Sequence, residues 1–233
     1  MAQDANTVIE VEGAKRYYVT PAGTVKALDG VDMTIKRGEF LAIAGPSGSG
    51  KSTLLNLIGA LDTPTAGSVS VEGRALQGMK EGDLAGLRRE RIGFIFQAYN
   101  LIPVLSALEN VEYVMQLQGK AVSERRKAAV DILKEVGLGE MLERRPVELS
   151  GGQQQRVAVA RAIAAAPAIV LADEPTANLD SATGIALLEM MQRLNEEHGM
   201  TFVFSTHDPE VMERASRLVR LRDGKIESEE RRA

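Results

Sequence analysis

Gly45-Pro46-Ser47-Gly48-Ser49-Gly50-Lys51-Ser52-Thr53 decides the reading of this chain. It follows Glu39-Phe40-Leu41-Ala42-Ile43-Ala44, an apolar run of strand length, and precedes Leu54-Leu55-Asn56-Leu57-Ile58, which carries an apolar helical face. A strand, a glycine-rich turn spelled G-x-x-x-x-G-K-[ST] and a helix make a phosphate-binding loop. The glycines let the backbone curl so that successive N–H groups point inward at phosphate oxygens. The helix that follows adds its N-terminal dipole and its unpaired N–H groups. Lys51 has the reach for β- and γ-phosphates, and Ser52 can set its hydroxyl on Mg²⁺. A glycine-rich turn that binds nothing would need neither the strand before it nor the helix after it.

Composition bounds the rest. The chain has 233 residues, enough for one sizeable α/β domain with an inserted subdomain and short for two. The formal net charge of −4 gives no bulk electrostatic case for nucleic acid. The absence of cysteine excludes a disulfide framework, thiolate metal sites and a cysteine nucleophile. Met1-Ala2-Gln3-Asp4-Ala5-Asn6 is polar and acidic, unlike a signal peptide. The longest apolar stretch, residues 162–172, contains Pro167 and falls far short of the ~20 residues a spanning helix needs. A soluble, cytoplasmic protein is expected, with any membrane role coming through a partner.

Outward from the loop, Thr7-Val8-Ile9-Glu10-Val11-Glu12 and Val31-Asp32-Met33-Thr34-Ile35 alternate like half-buried strands, with a turn at Pro21-Ala22-Gly23. Ser68-Val69-Ser70-Val71-Glu72-Gly73 reads as strand and turn, so antiparallel strands are expected to flank the strand that feeds the loop. Residues 82–91 predict a charged helix. Arg88, Arg89 and Arg91 fit a solvated face better than a phosphate patch. Ile92-Gly93-Phe94-Ile95-Phe96 predicts a buried strand ending at Gln97. Residues 98–149 change character, with amphipathic helices over 105–118 and 123–136 and Ser123 as the second helix's N-cap. The α/β pattern then resumes: a helix to residue 166, a strand over 168–172, a helix over 181–198 closed by Gly199, a strand over 201–205, a short helix over 209–215 and a closing hairpin over Asp223-Gly224. Residues 229–233 are expected to fray.

A second group of residues carries chemistry. Ile169-Val170-Leu171-Ala172-Asp173-Glu174 is an apolar strand ending in two acids. Beside a phosphate loop, Asp173 is placed to hold Mg²⁺ and Glu174 to polarise a water against a γ-phosphate. Leu149-Ser150-Gly151-Gly152-Gln153 is a second anion cradle: Ser150 can cap a helix starting near Gln153, and two glycines bare backbone N–H groups. A second cradle makes sense if it serves a nucleotide held by another copy. His207 follows a buried strand and precedes Asp208. His198 sits at a helix end, where a solvated or dipole role is the better reading.

With these motifs in this order, the chain resembles the nucleotide-binding subunit of ABC (ATP-binding cassette) transporters over nearly its full length. The resemblance implies an α/β fold with a P-loop NTPase (RecA-like) core over residues 1–97 and 150–233, a flanking antiparallel β-subdomain and a helical subdomain over 98–149. It implies that ATP and Mg²⁺ bind at Gly45, Ser47, Gly48, Ser49, Gly50, Lys51, Ser52 and Thr53. Tyr17 matches the aromatic that stacks on adenine, with Tyr18 the neighbouring alternative. Gln97 matches the glutamine that contacts Mg²⁺ and the attacking water, Asp173 the metal-holding aspartate and Glu174 the catalytic glutamate. Ser150, Gly151, Gly152 and Gln153 match the signature motif, Asp180 lies in the D-loop Asn178-Leu179-Asp180, and His207 matches the switch histidine.

The same resemblance implies a head-to-tail dimer with ATP between two copies. It implies a membrane permease whose cytoplasmic coupling helix enters a groove lined by Tyr99-Asn100-Leu101-Ile102-Pro103, with the subunit peripheral on the inner face of the cell membrane. Leu61-Asp62-Thr63-Pro64-Thr65-Ala66-Gly67 and Ala107-Leu108-Glu109-Asn110-Val111-Glu112 look like the branch serving lipoprotein release and macrolide or peptide efflux. Ala177 stands where that branch usually has Gly. The chief rival is an ATPase of a non-transport membrane complex, for signalling or division-type force transmission. No Asn-Lys-x-Asp guanine motif is present.

Overall fold

The computed structural model describes residues 6–21 and 23–232. The polar first residues, Ala22 of the expected turn and Ala233 of the terminus lie outside them. Among the described residues eighteen elements follow one another. Strands β1 (Thr7–Thr20), β2 (Gly23–Lys36), β4 (Ala66–Val71) and β5 (Arg74–Ala75) form an antiparallel sheet in the order β2-β1-β4-β5. Strands β3 (Phe40–Ala44), β6 (Ile92–Ile95), β7 (Ile169–Asp173), β8 (Phe202–Thr206), β9 (Arg217–Arg222) and β10 (Lys225–Arg231) form the second, in the order β10-β9-β3-β8-β7-β6. Every pairing in the second sheet is parallel except β10 on β9.

One expectation needs correction. The neighbours of β3 are β8 and β9, both parallel to it. The antiparallel strands do not flank it but form their own sheet. The reason lies in burial on two faces. A central parallel strand is covered on both sides and reads as a continuous apolar run, as Phe40-Leu41-Ala42-Ile43-Ala44 does. Its alternate residues feed two cores: Phe40, Ala42 and Ala44 join one, Leu41 and Ile43 the other. β7 and β8 divide the same way, with Val170, Ala172, Phe202 and Phe204 on the first face and Ile169, Leu171 and Val203 on the second.

The second face packs on the antiparallel sheet and on helices α1 (Lys51–Ile58) and α2 (Glu81–Arg91). The first face packs on α5 (Gly151–Ile163), α6 (Ser181–His198) and α7 (Pro209–Arg214), and through α5 on α3 (Ala107–Leu117) and α4 (Val122–Glu135). Leu108, Val111 and Met115 of α3 and Ala129 and Leu133 of α4 therefore share one core with the sheet.

Local differences have local causes. Ser106 caps α3 in a reciprocal box with Glu109. α4 begins at Val122 with Ala121 rather than Ser123 as its N-cap, because the Arg125 N–H already finds the Ala121 carbonyl at 3.0 Å. β1 and β2 run well past their alternating cores, since register shifts near Val11, Ala14 and Arg16 break the alternation without ending the pairing. β10 continues to Arg231 rather than fraying at 229. Arg217, whose side chain is 5% exposed, holds both carboxylate oxygens of Glu229 at 3.0 Å and Glu39 at 2.9 Å.

That ion group sets a prediction. The Arg217 guanidinium holds the Glu229 carboxylate below the usual carboxylate range. A depressed carboxylate stabilises the fold above its unfolded pKa and loses that contribution as pH falls through the folded one. Arg217→Ala is expected to cost about 2 kcal/mol near neutrality, since Glu39 and Glu229 keep only their longer contacts to Arg231. Its deficit should shrink in acid, and urea titrations at neutral and acid pH check both.

Candidate functional site

The phosphate loop is held by contacts that leave no room for side chains. A Cβ on Gly45 would stand 2.2 Å from the Leu221 carbonyl oxygen of β9. One on Gly50 would stand 2.4 Å from the Ala27 carbonyl oxygen of β2, and Gly50 also has a left-handed φ of 104°. Between them, Lys51 folds its ammonium back to donate to the Gly45 carbonyl at 2.8 Å and the Pro46 carbonyl at 3.1 Å. α1 starts at Lys51 with no side-chain cap and no acid in its first turn. Its dipole and first N–H groups are thus free of a competing carboxylate.

A cavity of about 840 Å³ opens over this loop. Ser47, Gly48, Gly50, Lys51, Ser52 and Thr53 line it, together with Gln97, Glu174 and His207. Gly45 and the buried Ser49 are not on the wall. The aromatic on the wall is Tyr18, not Tyr17. The Tyr17 hydroxyl is taken by Asp29, which raises its pKa. Tyr18 is braced by Asp62 at 3.0 Å and by Arg16, whose guanidinium carbon lies 4.7 Å from its ring centre.

Asp173 ends β7, and its Oδ1 accepts from the Ser52 hydroxyl at 3.4 Å. Glu174 then turns sharply, with a φ of 47° and its N–H on the Ser205 carbonyl at 2.9 Å. Its carboxylate pairs with His207 Nδ1 at 2.8 Å and accepts from the Thr206 hydroxyl at 3.3 Å. Thr206 is fully buried and its oxygen also accepts the Asp208 N–H at 2.9 Å. Asp208 in turn accepts from Thr176 at 2.7 Å, tying the loop after β7 to the loop after β8. Asn178 donates to the Gln97 carbonyl at 2.8 Å. The sequence assigns no site role to Thr206 or Thr176 and marks Asn178 only as part of the D-loop stretch. Thr206 had one signal, a hydroxyl at a strand end beside His207.

Ser150, Gly151, Gly152, Gln153 and Asp180 are absent from the cavity wall. Ser150 caps α5 as expected: its oxygen accepts the Gln153 N–H at 3.3 Å, and the Gln153 side chain accepts the Ser150 N–H at 2.9 Å. Asp180 caps α6 on the Thr183 N–H and hydroxyl, and these bonds hold its carboxyl below the usual range. The two helix starts adjoin, since a Cβ on Gly152 would stand 2.4 Å from Thr183 Cγ2. A separate apolar groove of about 440 Å³ lies beside the loop after Gln97, lined by Leu61, Phe94, Phe96, Tyr113 and Leu117. Of the stretch expected to line it, Asn100 and Ile102 do.

Residues 28–177 match the model of the family described as ABC transporter. The chain belongs to the ABC transporter family. It is an ATP-binding cassette, an ABC ATPase with the branch relationships anticipated above. It is 46% identical to the lipoprotein-releasing system ATP-binding protein LolD of Anaeromyxobacter dehalogenans, over 95% of this chain and 93% of that protein. It is 50% identical to the macrolide export ATP-binding/permease protein MacB of Hyphomonas neptunium, over 95% of this chain but 34% of that protein. The cassette thus spans about a third of that exporter's length. Among solved structures it is similar to the MJ0796 cassette of Methanocaldococcus jannaschii, a dimer in a post-hydrolysis state bound to ADP and Pi. The TM-score is 0.88 at 44% identity, covering 96% of this chain and 98% of that one.

The crowding at Gly45 makes a test of the loop's framework. Gly45→Ala is expected to destabilise the nucleotide-free cassette by about 2 kcal/mol, because a methyl group meets a sheet carbonyl that cannot swing aside. Urea titration measures it.

Proposed function

We propose that two copies of this cassette close head to tail on two ATP molecules, and that hydrolysis there drives a membrane permease. The observation that carries this is the split site. One chain supplies Lys51, Ser52, Gln97, Glu174 and His207 to the cavity, while Ser150 to Gln153 forms a capped anion cradle off its wall. A cradle at a helix start attracts phosphate, and a second copy gives it one to hold. The dimeric ADP- and Pi-bound relative supports this arrangement.

In this reading Tyr18 stacks on the base and the loop amides with Lys51 hold the phosphates. Glu174 takes a proton from the attacking water, and His207 fixes that carboxylate through the bond on Nδ1. Ser52 and Asp173 present hydroxyl and carboxylate oxygens 3.4 Å apart, with the Gln97 amide on the same cavity. Such hard oxygen donors suit Mg²⁺, which would neutralise charge on the phosphates. Ser150 to Gly152 of the second copy stabilise charge on the departing γ-phosphate, and Asp180 sits beside them at the start of α6.

The groove of Phe94, Phe96, Tyr113 and Leu117 is the natural seat for the permease's cytoplasmic coupling helix, since Leu61 and Leu117 there are about half exposed. Among the described residues no helix is long and apolar enough to cross a membrane. The cassette then works from the inner face of the cell membrane through that partner. The LolD and MacB relatives favour a permease for lipoprotein release or for macrolide or peptide efflux.

Glu174→Gln is expected to keep ATP binding, lower turnover by about 10²-fold or more, and accumulate a dimer with ATP. Light scattering after gel filtration reads this, and a variant that stays monomeric in ATP overturns the head-to-tail site. Tyr18→Ala should weaken ATP binding about tenfold, the worth of a base stack, whereas Tyr17→Ala should leave it nearly unchanged. Titration calorimetry separates the two.

A further inference from the structure

The loop that carries Gln97 is held from outside the cavity. Tyr99 and Asn100, directly beyond it, are consecutive left-handed residues with φ of 59° and 51°. Two side-chain residues in that conformation in a row are unfavourable unless the surroundings impose them. Arg161, near the end of α5, holds them together with the local turn bonds from the Tyr99 and Asn100 N–H groups. One guanidinium N–H donates to the Tyr99 carbonyl at 2.9 Å and another to the Asn100 carbonyl. Its partners among the described residues are these carbonyls, and burial pushes its pKa down. A half-buried guanidinium with carbonyl partners alone is costly to keep, so its placement calls for a use.

The rest of α5 fits that use. The helix has 13 residues, about 20 Å of length at 1.5 Å per residue. A Cβ on Gly93 of β6 would stand 2.4 Å from the Ala162 carbonyl oxygen, so the end bearing Arg161 is seated against the sheet. At the other end, a Cβ on Gly151 would stand 3.0 Å from the Tyr99 hydroxyl. Tyr99 therefore spans between the Arg161 guanidinium and the start of the Ser150 cradle. Arg161 and Asn100 also line the apolar groove, while Gln97 lines the nucleotide cavity.

We propose that Arg161 is a positioning residue for Gln97: its forked clasp on the Tyr99 and Asn100 carbonyls lets one rigid helix set the glutamine at the nucleotide cavity. The proposal rests on the ATPase reading for its kinetic consequence but not for the clasp itself.

Arg161→Lys, in the full chain, keeps the charge and loses the fork. A charge-assisted hydrogen bond lost from the clasp predicts a fall in kcat of about tenfold with KM for ATP held within about twofold. On a Gln97→Ala background the same substitution should cost nothing further. Multiplied losses, or wild-type turnover in Arg161→Lys, overturn the proposal. Hydrogen exchange of the nucleotide-free protein gives the second readout: amides 98–102 should exchange faster in Arg161→Lys while those of β7 and α3 stay unchanged. Unchanged exchange at 98–102 overturns it as well, and this arm decides if Gln97→Ala leaves no measurable turnover. A wild-type chain without ATPase activity would instead strike the functional reading, leaving the clasp to the exchange measurement.

Discussion

Two carbonyl oxygens close on the phosphate loop from opposite sheets. Leu221 of β9 faces Gly45 and Ala27 of β2 faces Gly50, each nearer than any Cβ tolerates. The loop is thereby the joint between the parallel and antiparallel layers. The β9–β10 turn adds to the joint, since Gly224 donates to the Ser49 carbonyl at 3.0 Å and accepts from Asp29 at 2.8 Å. The residues of the cavity wall are placed relative to that joint. β7 brings Asp173 to Ser52 and β8 brings His207 to Glu174, because both run parallel to β3 and end on the same side.

Charge in the cavity is arranged so that little of it stands alone. Lys51 rests on two carbonyls of its own loop. Glu174 is held between His207 and the buried Thr206 hydroxyl, and Thr206 is locked by Asp208 and so by Thr176. Such a network holds the carboxylate in one orientation. The anion cradle at Ser150 is equally pre-set by its capping box. Both are set within one chain but apart, since Ser150 to Gln153 lie off the cavity wall.

Much of this was legible in the amino-acid order, and the reasons differ by element. The phosphate loop was legible because glycine and lysine spacing there serves one chemistry. α6 was legible to both ends, since Gly199 adopts the left-handed cap that the sequence advertises. Ser150 was legible as a helix cap, whereas the return bond from the Gln153 side chain emerged in the structure. The length of β1 and β2 was not legible, because bulges erase alternation while pairing continues. β10 ran on past the expected end because Glu229 found Arg217, twelve residues away. Tyr17 and Tyr18 were not separable in the sequence. Which of two adjacent aromatics faces the cavity depends on the register of β1 against β2, which shifts next to them.

The sequence by itself determined the motifs whose chemistry is local: a loop that cradles phosphate, a strand ending in Asp173 and Glu174, a capped helix at Ser150 and a histidine after a buried strand. These are spelled within a few residues because hydrogen bonding and backbone conformation at short range set them. Tertiary structure alone decided which side chains share a cavity. It chose Tyr18 over Tyr17, laid Thr206 under Glu174, brought Arg161 to the carbonyls of Tyr99 and Asn100, and kept Ser150 to Gln153 off their own chain's cavity wall. Those outcomes depend on strand order, register and close backbone approach between segments many residues apart, and no local pattern carries that information.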